Sequence, residues 1–274
     1  MAIPFNLGDF INDKEIRDMF IDYLENELVA RNVFPTTSII GASSIKIPGL
    51  STVATAAYTG AAPSATDTTD TSVILSLDSA QYFLQRIDKI DDHMTAVKVL
   101  AKVLAAGAYE LANVIDEAAF TEAATTSNNV TQPSGGLDES NVAGWIGDMG
   151  VKLSRQKAPK GGRKLVVTPE VSALISQANL TLQTTTAEEA AREGFVGRFG
   201  GFDIFESLNL PHDPSTGDTC FATVGDSVVL GIGYQEFGIG DKADDFKIYV
   251  KGLVNYGVKL VQDAYLVGSK VTIA

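Results

Sequence analysis

The stretch DKIDDHMTAVKVLAKVLAAGAYELANVIDEAAFTEAA, residues 88–124, decides the fold. It holds no proline and a single glycine, Gly107. Ile90, Met94, Val97, Ala101, Leu104, Ala108, Leu111 and Ile115 recur at alternating spacings of four and three, so they share one face of a continuous helix. At about 1.5 Å per residue, roughly 35 residues make a rod of about 50 Å, several times the usual helix length of about 11–12 residues. Ala105, Ala106, Gly107 and Ala108 thin its middle, so another element can approach closely there. A helix of this kind suits an elongated subunit, or one that crosses a large α+β core.

Before it lie two strand-like runs, Ile45–Ile47 and Val73–Leu77. In the second, Val73, Leu75 and Leu77 alternate with Ser72, Ser76 and Asp78. Residues 51–72, STVATAAYTGAAPSATDTTDTS, join them. Apart from Val53 and Tyr58 this joint is Ala, Ser, Thr, Gly, Pro and Asp, too poor in large apolar groups to bury itself. Loops longer than about 12–15 residues are usually functional or disordered. The reading is a long projecting hairpin or a surface loop. Further upstream, Asn12 and Glu15 resemble a capping box, and Ile16, Phe20, Tyr23, Leu24 and Leu28 form an apolar stripe. Asn32 and Pro35 are expected to end that helix, which is either a core helix or an arm for a neighbouring subunit.

Beyond the long helix, Thr125–Gly136 reads as a linker. A second amphipathic helix follows, with Val142, Trp145, Ile146, Met149 and Leu153 on one face. KLVVTPEV predicts a strand over Leu165–Val167, an N-cap at Thr168 and Pro169 in the first helical position. Residues 179–194 read as an exposed loop, FDIFES as a strand, and the last stretch from Phe246 as antiparallel strands paired with each other.

The chain has 274 residues, 45% of them hydrophobic, enough for one large or two modest cores. Its 21 basic and 34 acidic residues give a net charge of −13, which disfavours a nucleic-acid binder that needs a basic face. One cysteine, Cys220, excludes internal disulfides and cysteine metal clusters. His93 and His212 are isolated. No secretory signal is visible, and Lys98, Lys102 and Glu110 interrupt the most apolar window, against a membrane span.

The motifs that could carry chemistry are weak. Gly194, Gly197, Gly200 and Gly201 lead into a strand instead of a helix, so tight turns are expected rather than a phosphate cradle. Gly225-Asp226-Ser227 resembles the nucleophile block of one esterase class, but neither histidine has an Asp three residues before it, so a turn between strands is expected. Asp91, Asp92 and His93 read as dipole-complementing residues near a helix start. We therefore expect no catalytic residue, no cofactor and no metal. The one sharp charge feature is Lys152, Arg155, Lys157, Lys160, Arg163 and Lys164, six cations without an intervening acid. It is either a solvated helix end or a contact with an acidic surface of an adjacent copy.

The order of these segments resembles the major capsid proteins of tailed bacteriophages, which share the Hong Kong 97 phage capsid fold. The long helix looks like that family's spine helix. GFVGRFGGFDIFESLNLP is similar to its pattern of glycines, short apolar strand, Ser and Pro, and NYGVKLVQDAYLV looks like its closing strands. The resemblance implies an α+β chain divided into an N-terminal arm at 1–36, an extended hairpin loop at 37–85, the peripheral-domain spine helix at 86–126, an axial domain at 127–245 and closing peripheral strands at 246–274. It implies pentamers and hexamers of a virion shell that encloses double-stranded DNA without sequence-specific binding, assembled in the bacterial host cytoplasm. Assembly contacts are expected at Tyr58, Thr59, Gly60, Pro63, Lys152, Arg155, Lys157 and Arg163. Because the arm helix follows Met1 closely, a separate scaffolding protein is expected, along with a portal. With no lysine between Lys46 and Lys89, no isopeptide crosslink is expected from the loop. The alternatives are an encapsulin-type nanocompartment shell, a different virion protein such as a tail or decoration subunit, and an esterase using Ser227.

Overall fold

The computed structural model describes residues 13–39, 42–49, 57, 71–178, 195–215, 217–241 and 247–273. The 35-residue helix runs as the spacing predicts, as α3 (Lys89–Ala123). Leu104, Ala108, Leu111 and Ile115 of the predicted face are buried. The side chains of Ile90, Met94, Val97 and Ala101 lie outside the described ones, as does that of His93.

Two sheets flank this helix. The first has four strands in the order β1 (Thr36–Ser38), β10 (Val228–Asp241), β11 (Lys247–Leu260) and β4 (Ser79–Asp88). β1 runs parallel to β10, and the other neighbours are antiparallel. The thin middle of α3 meets this sheet. A Cβ on Gly107 would lie 2.7 Å from the Phe83 ring of β4, and one on Gly252 of β11 would lie 2.3 Å from the same ring. Phe83 is therefore clamped between two glycines, and the small residues of the sequence are explained by close approach.

The second sheet has the order β12 (Leu266–Val271), β9 (Gly217–Val224), β5 (Arg163–Val167), β7 (Phe202–Glu206), β6 (Phe195–Phe199), with β8 (His212–Asp213) also on β9. β5 and β7 are parallel. One face carries α4 (Val142–Arg155) and α5 (Pro169–Gln177). Trp145 Nε1 donates to Ser269 Oγ at 2.9 Å, fixing α4 to β12. The opposite face packs on the far end of α3: Phe221 stacks on Phe34 at 5.7 Å and meets Phe120 at 5.5 Å. The spine helix thus contributes to the core of both sheets, and one buried apolar cluster runs through them. β2 (Ser44–Ile47) and β3 (Val73–Ser76) form the predicted antiparallel hairpin, with Leu75 buried against Ile39 and Val229. The loop 51–56 and 58–70 lies outside the described residues, as do 179–194.

Three readings change. The N-terminal helix is not one piece: α1 (Asp13–Glu27) stops, Leu28 is extended, and α2 (Val29–Val33) restarts. Asp116 of α3 causes this, because its carboxylate accepts the N–H groups of Val29 at 3.0 Å and Ala30 at 2.9 Å. Those donors would otherwise bond to carbonyls four residues earlier, so a side chain 87 residues away caps the new helix. Asn12, the expected cap of α1, lies outside the described residues.

Next, strand pairing cuts across the linear segments. β4 and β10 join the sheet beside α3, whereas β12 leaves the last stretch to pair with β9. The last two strands are antiparallel strands of different sheets, not partners of each other. Finally, the linker 125–136 is sewn to the C-terminal strand. Val130 N–H donates to the Gly268 carbonyl at 2.8 Å, and Gly268 N–H returns a bond to Asn128 at 2.9 Å. Asp263 receives Thr126 Oγ1 at 2.6 Å as well as the Ser127 hydroxyl.

Candidate functional site

Tyr58, Thr59, Gly60 and Pro63 lie outside the described residues. The basic cluster is described, and it separates into two kinds of residue. Arg155, Lys157 and Lys160 are exposed and Lys152 is half-buried. Arg163 is only 7% exposed. Its Nε donates to the Pro159 carbonyl at 2.8 Å, and its terminal nitrogens reach the Gly150 and Ala158 carbonyls at 3.2 Å each and Ser154 Oγ at 3.1 Å. Its guanidinium is consumed inside the α4–β5 connection, which corrects the expectation that it is a surface contact. Lys164 likewise turns inward, donating from Nζ to the Val33 carbonyl at 3.1 Å at the end of α2.

The corner that Arg163 braces is well defined. Lys157 has a left-handed backbone, φ 60. Its N–H donates to Ser154 and that of Ala158 to Leu153, both at 3.1 Å, the bonding of a left-handed helix C-cap. The exposed cations are thus carried on a rigid turn. Arg163→Lys should loosen that turn, because an ammonium cannot span four acceptors in a plane; a loss of about 2–3 kcal/mol is expected, read as a lower denaturant midpoint at unchanged slope.

A second feature lies at the opposite end of β5 and β7. A cleft of about 450 Å³ opens between the N-terminal helices, α3 and the end of β7. Glu27, Tyr109, Glu206 and Leu208 line it, and Asp116 forms part of its wall. Asp116 is 1% exposed, and burial pushes its carboxyl up to about 7 while the Ala30 and Val29 N–H groups pull it back. Asn209 Nδ2 donates to Asn113 Oδ1 at 3.0 Å, tying the loop after β7 to the spine helix.

Among the residues considered for chemistry, the side chains of Asp91, Asp92 and His93 and all of Gly194 lie outside the described ones, and the others have structural work. Gly225, at φ 60, turns β9 into β10, and Ser227 is fully buried with its hydroxyl on Thr223. The Ser227 carbonyl accepts the N–H groups of Val261 at 2.8 Å and Gln262 at 3.0 Å. Burial pushes the Cys220 thiol up to about 12, which leaves it unreactive as a thiolate. Gly200 and Gly201, at φ 62 and 85, make the β6–β7 turn that the sequence predicts. His212 pairs with Asp218 at 2.6 Å on the surface. Among the described residues, no group of three His, Cys, Asp or Glu side chains could hold a metal, and no helix is long and apolar enough to cross a membrane.

The inward turns of Asp116 and Arg163 were not legible in the sequence. The one available signal for Asp116 is an acid placed directly beside Ile115 of the buried stripe.

No family model matches the chain, and no curated protein sequence does. Solved structures do. A structure of Mycobacterium phage Che8 is 23% identical over 91% of this chain and 90% of its own, with a TM-score of 0.65. The capsid structure of the Cyanophage P-SCSP1u is 13% identical over 90% and 89%, with a TM-score of 0.69. A virus-like particle from Pyrococcus furiosus is 12% identical over 94% and 98%, with a TM-score of 0.61. The chain has the fold of these proteins along nearly its whole length, the α+β phage-capsid fold that the order of segments implies.

Proposed function

We propose that this chain is the major capsid protein of a tailed bacteriophage, forming pentamers and hexamers of an icosahedral shell around double-stranded DNA. The observation that carries this reading is the end-to-end match to phage capsid structures, about 90% of both chains in each phage case. The chain's own features support it. A spine helix shared by two sheets, a β2–β3 hairpin at the base of a long small-residue loop, and helices ahead of the first sheet make a subunit with extensions that partners would complete. We assign residues 1–35 to an arm, 39–78 to the extended loop, the α3 sheet, which includes β1 and β4, to the peripheral domain and the β5–β7 sheet to the axial domain. On this reading the chain acts in the virion without catalysing a reaction. Its partners are other copies, a separate scaffolding protein, a portal and the packaged genome, met during assembly in the host cytoplasm. The acidic charge, −13, fits a shell that encloses DNA without gripping it.

The second reading, an encapsulin-type nanocompartment, is favoured by the match to the virus-like particle, which spans 98% of that chain. Particles purified from the native source decide between the two. Nuclease-protected double-stranded DNA inside the shell is expected, and a co-purifying enzyme without DNA would overturn the phage reading.

A further inference from the structure

We infer that the basic corner at the end of α4 docks into the acidic cleft beside Leu208 on a second copy of this chain. This rests on the shell reading and names one of its contacts. The two surfaces match in character. The corner presents Lys152, Arg155, Lys157 and Lys160 together with Val151, an apolar side chain 50% exposed. The cleft presents Glu27 and Glu206 together with Leu208 and Tyr109, 79% and 50% exposed. None of these four cations or two carboxylates forms a salt bridge among the described residues.

Their placement matters as much as their charge. β5 begins at Arg163 opposite Phe202 of β7 and ends at Val167 opposite Glu206. The corner precedes the first end and the cleft follows the second, so they lie at opposite ends of one pair of parallel strands, roughly 15 Å apart at about 3.3 Å per residue. A subunit with complementary surfaces at opposite ends cannot pair them within itself. A second copy can take up each surface, and where the contact runs head to tail it closes into rings when the rotation allows. The Arg163 brace and the left-handed turn at Lys157 keep the charges in place before contact, which lowers the ordering cost of binding. In a chain of net charge −13, a local contact of opposite sign also offsets repulsion between copies.

The test uses the full chain and three variants: Lys152→Glu/Lys157→Glu/Lys160→Glu, Glu27→Lys/Glu206→Lys, and the five changes combined. Sedimentation velocity gives the assembled fraction, and thermal unfolding of the unassembled chain confirms folding. Each single-patch variant should lose about tenfold in assembly, and the combined variant should recover most of it, because the charges are exchanged rather than removed. Should a reversal unfold the chain, Lys152→Gln/Lys157→Gln/Lys160→Gln takes its place and should weaken assembly most at low salt. A folded single-patch variant that assembles like the unmodified chain overturns the inference, and so does a combined variant that fails to recover. An unmodified chain that never assembles would instead overturn the shell reading itself.

Discussion

Asp116→Ala should lower the melting temperature of the unassembled chain by roughly 5–10 °C. The substitution removes the acceptor of two buried N–H groups, those of Val29 and Ala30. Each donor left without a partner costs about 1–3 kcal/mol, offset in part by the relief of a carboxylate held out of water. A net loss of about 2–4 kcal/mol follows, and a chain of this size shifts by about 2–4 °C per kcal/mol. The isosteric Asp116→Asn should also destabilise, because its amide N–H₂ would face one of the two donors.

The same carboxyl gives a pH signature. Its folded pKa, about 7, lies above the ordinary 3.8. The folded state therefore holds a proton that the unfolded state has released between those values. The stability this contributes is fully present below about pH 4 and is lost as pH rises through about 7. Relative to Asp116→Asn, the unmodified chain should gain on the order of 2 kcal/mol between pH 8 and pH 5. A difference between the two that does not change with pH would show that Asp116 is ionised throughout. Glu27, Glu206 and Tyr109 face the same cleft, so the comparison is made against Asn at one position rather than on the raw pH curve.

The Phe83 clamp gives the second large effect. In a helix interior Ala is worth about 1 kcal/mol more than Gly, so Gly107→Ala would stabilise a free helix. Here it should destabilise, because the new methyl would meet the Phe83 ring at 2.7 Å. Gly252→Ala, at 2.3 Å on the other side of the same ring, should cost more, about 2–3 kcal/mol. Gly107 and Gly252 bracket the half-buried ring from two sides, and Phe20 lies 5.9 Å away, so a shift away from one new methyl is hindered by the other neighbours. Phe83→Leu should remove much of the penalty of either change, giving a coupling of at least about 1 kcal/mol in a double-mutant cycle. Additive losses would mean that the glycines are not there for Phe83.

What could be read from the sequence follows a physical rule. Helix periodicity is local, so the spacing predicts a helix over 88–124, and α3 runs from Lys89 to Ala123. The Thr168-Pro169 helix start and the α4 face of Val142, Trp145, Ile146, Met149 and Leu153 are local in the same sense. The thin middle of α3 predicted a close approach, but not that Phe83 makes it. The break at Leu28 was not legible, since its cause sits on another helix. Arg163 looked like a surface charge because its neighbours in sequence are cations, while its acceptors are backbone carbonyls, which every residue offers. Strand partners were equally hidden: β11 and β12 are adjacent in sequence yet belong to different sheets, a choice made by distant β4 and β9. The functional reading rests on the joint order of segments; the basic run from Lys152 is visible in the sequence as a charge feature, whereas the cleft that would receive it is visible only in the structure.

The central claim is that this chain builds a closed shell. Negative-stain electron microscopy of the purified chain, alone and with a candidate scaffolding protein, over a series of salt and protein concentrations, tests it most directly. Closed particles or ring-shaped capsomers are the predicted result; a monomer that persists at every concentration and salt, in both preparations, would contradict it.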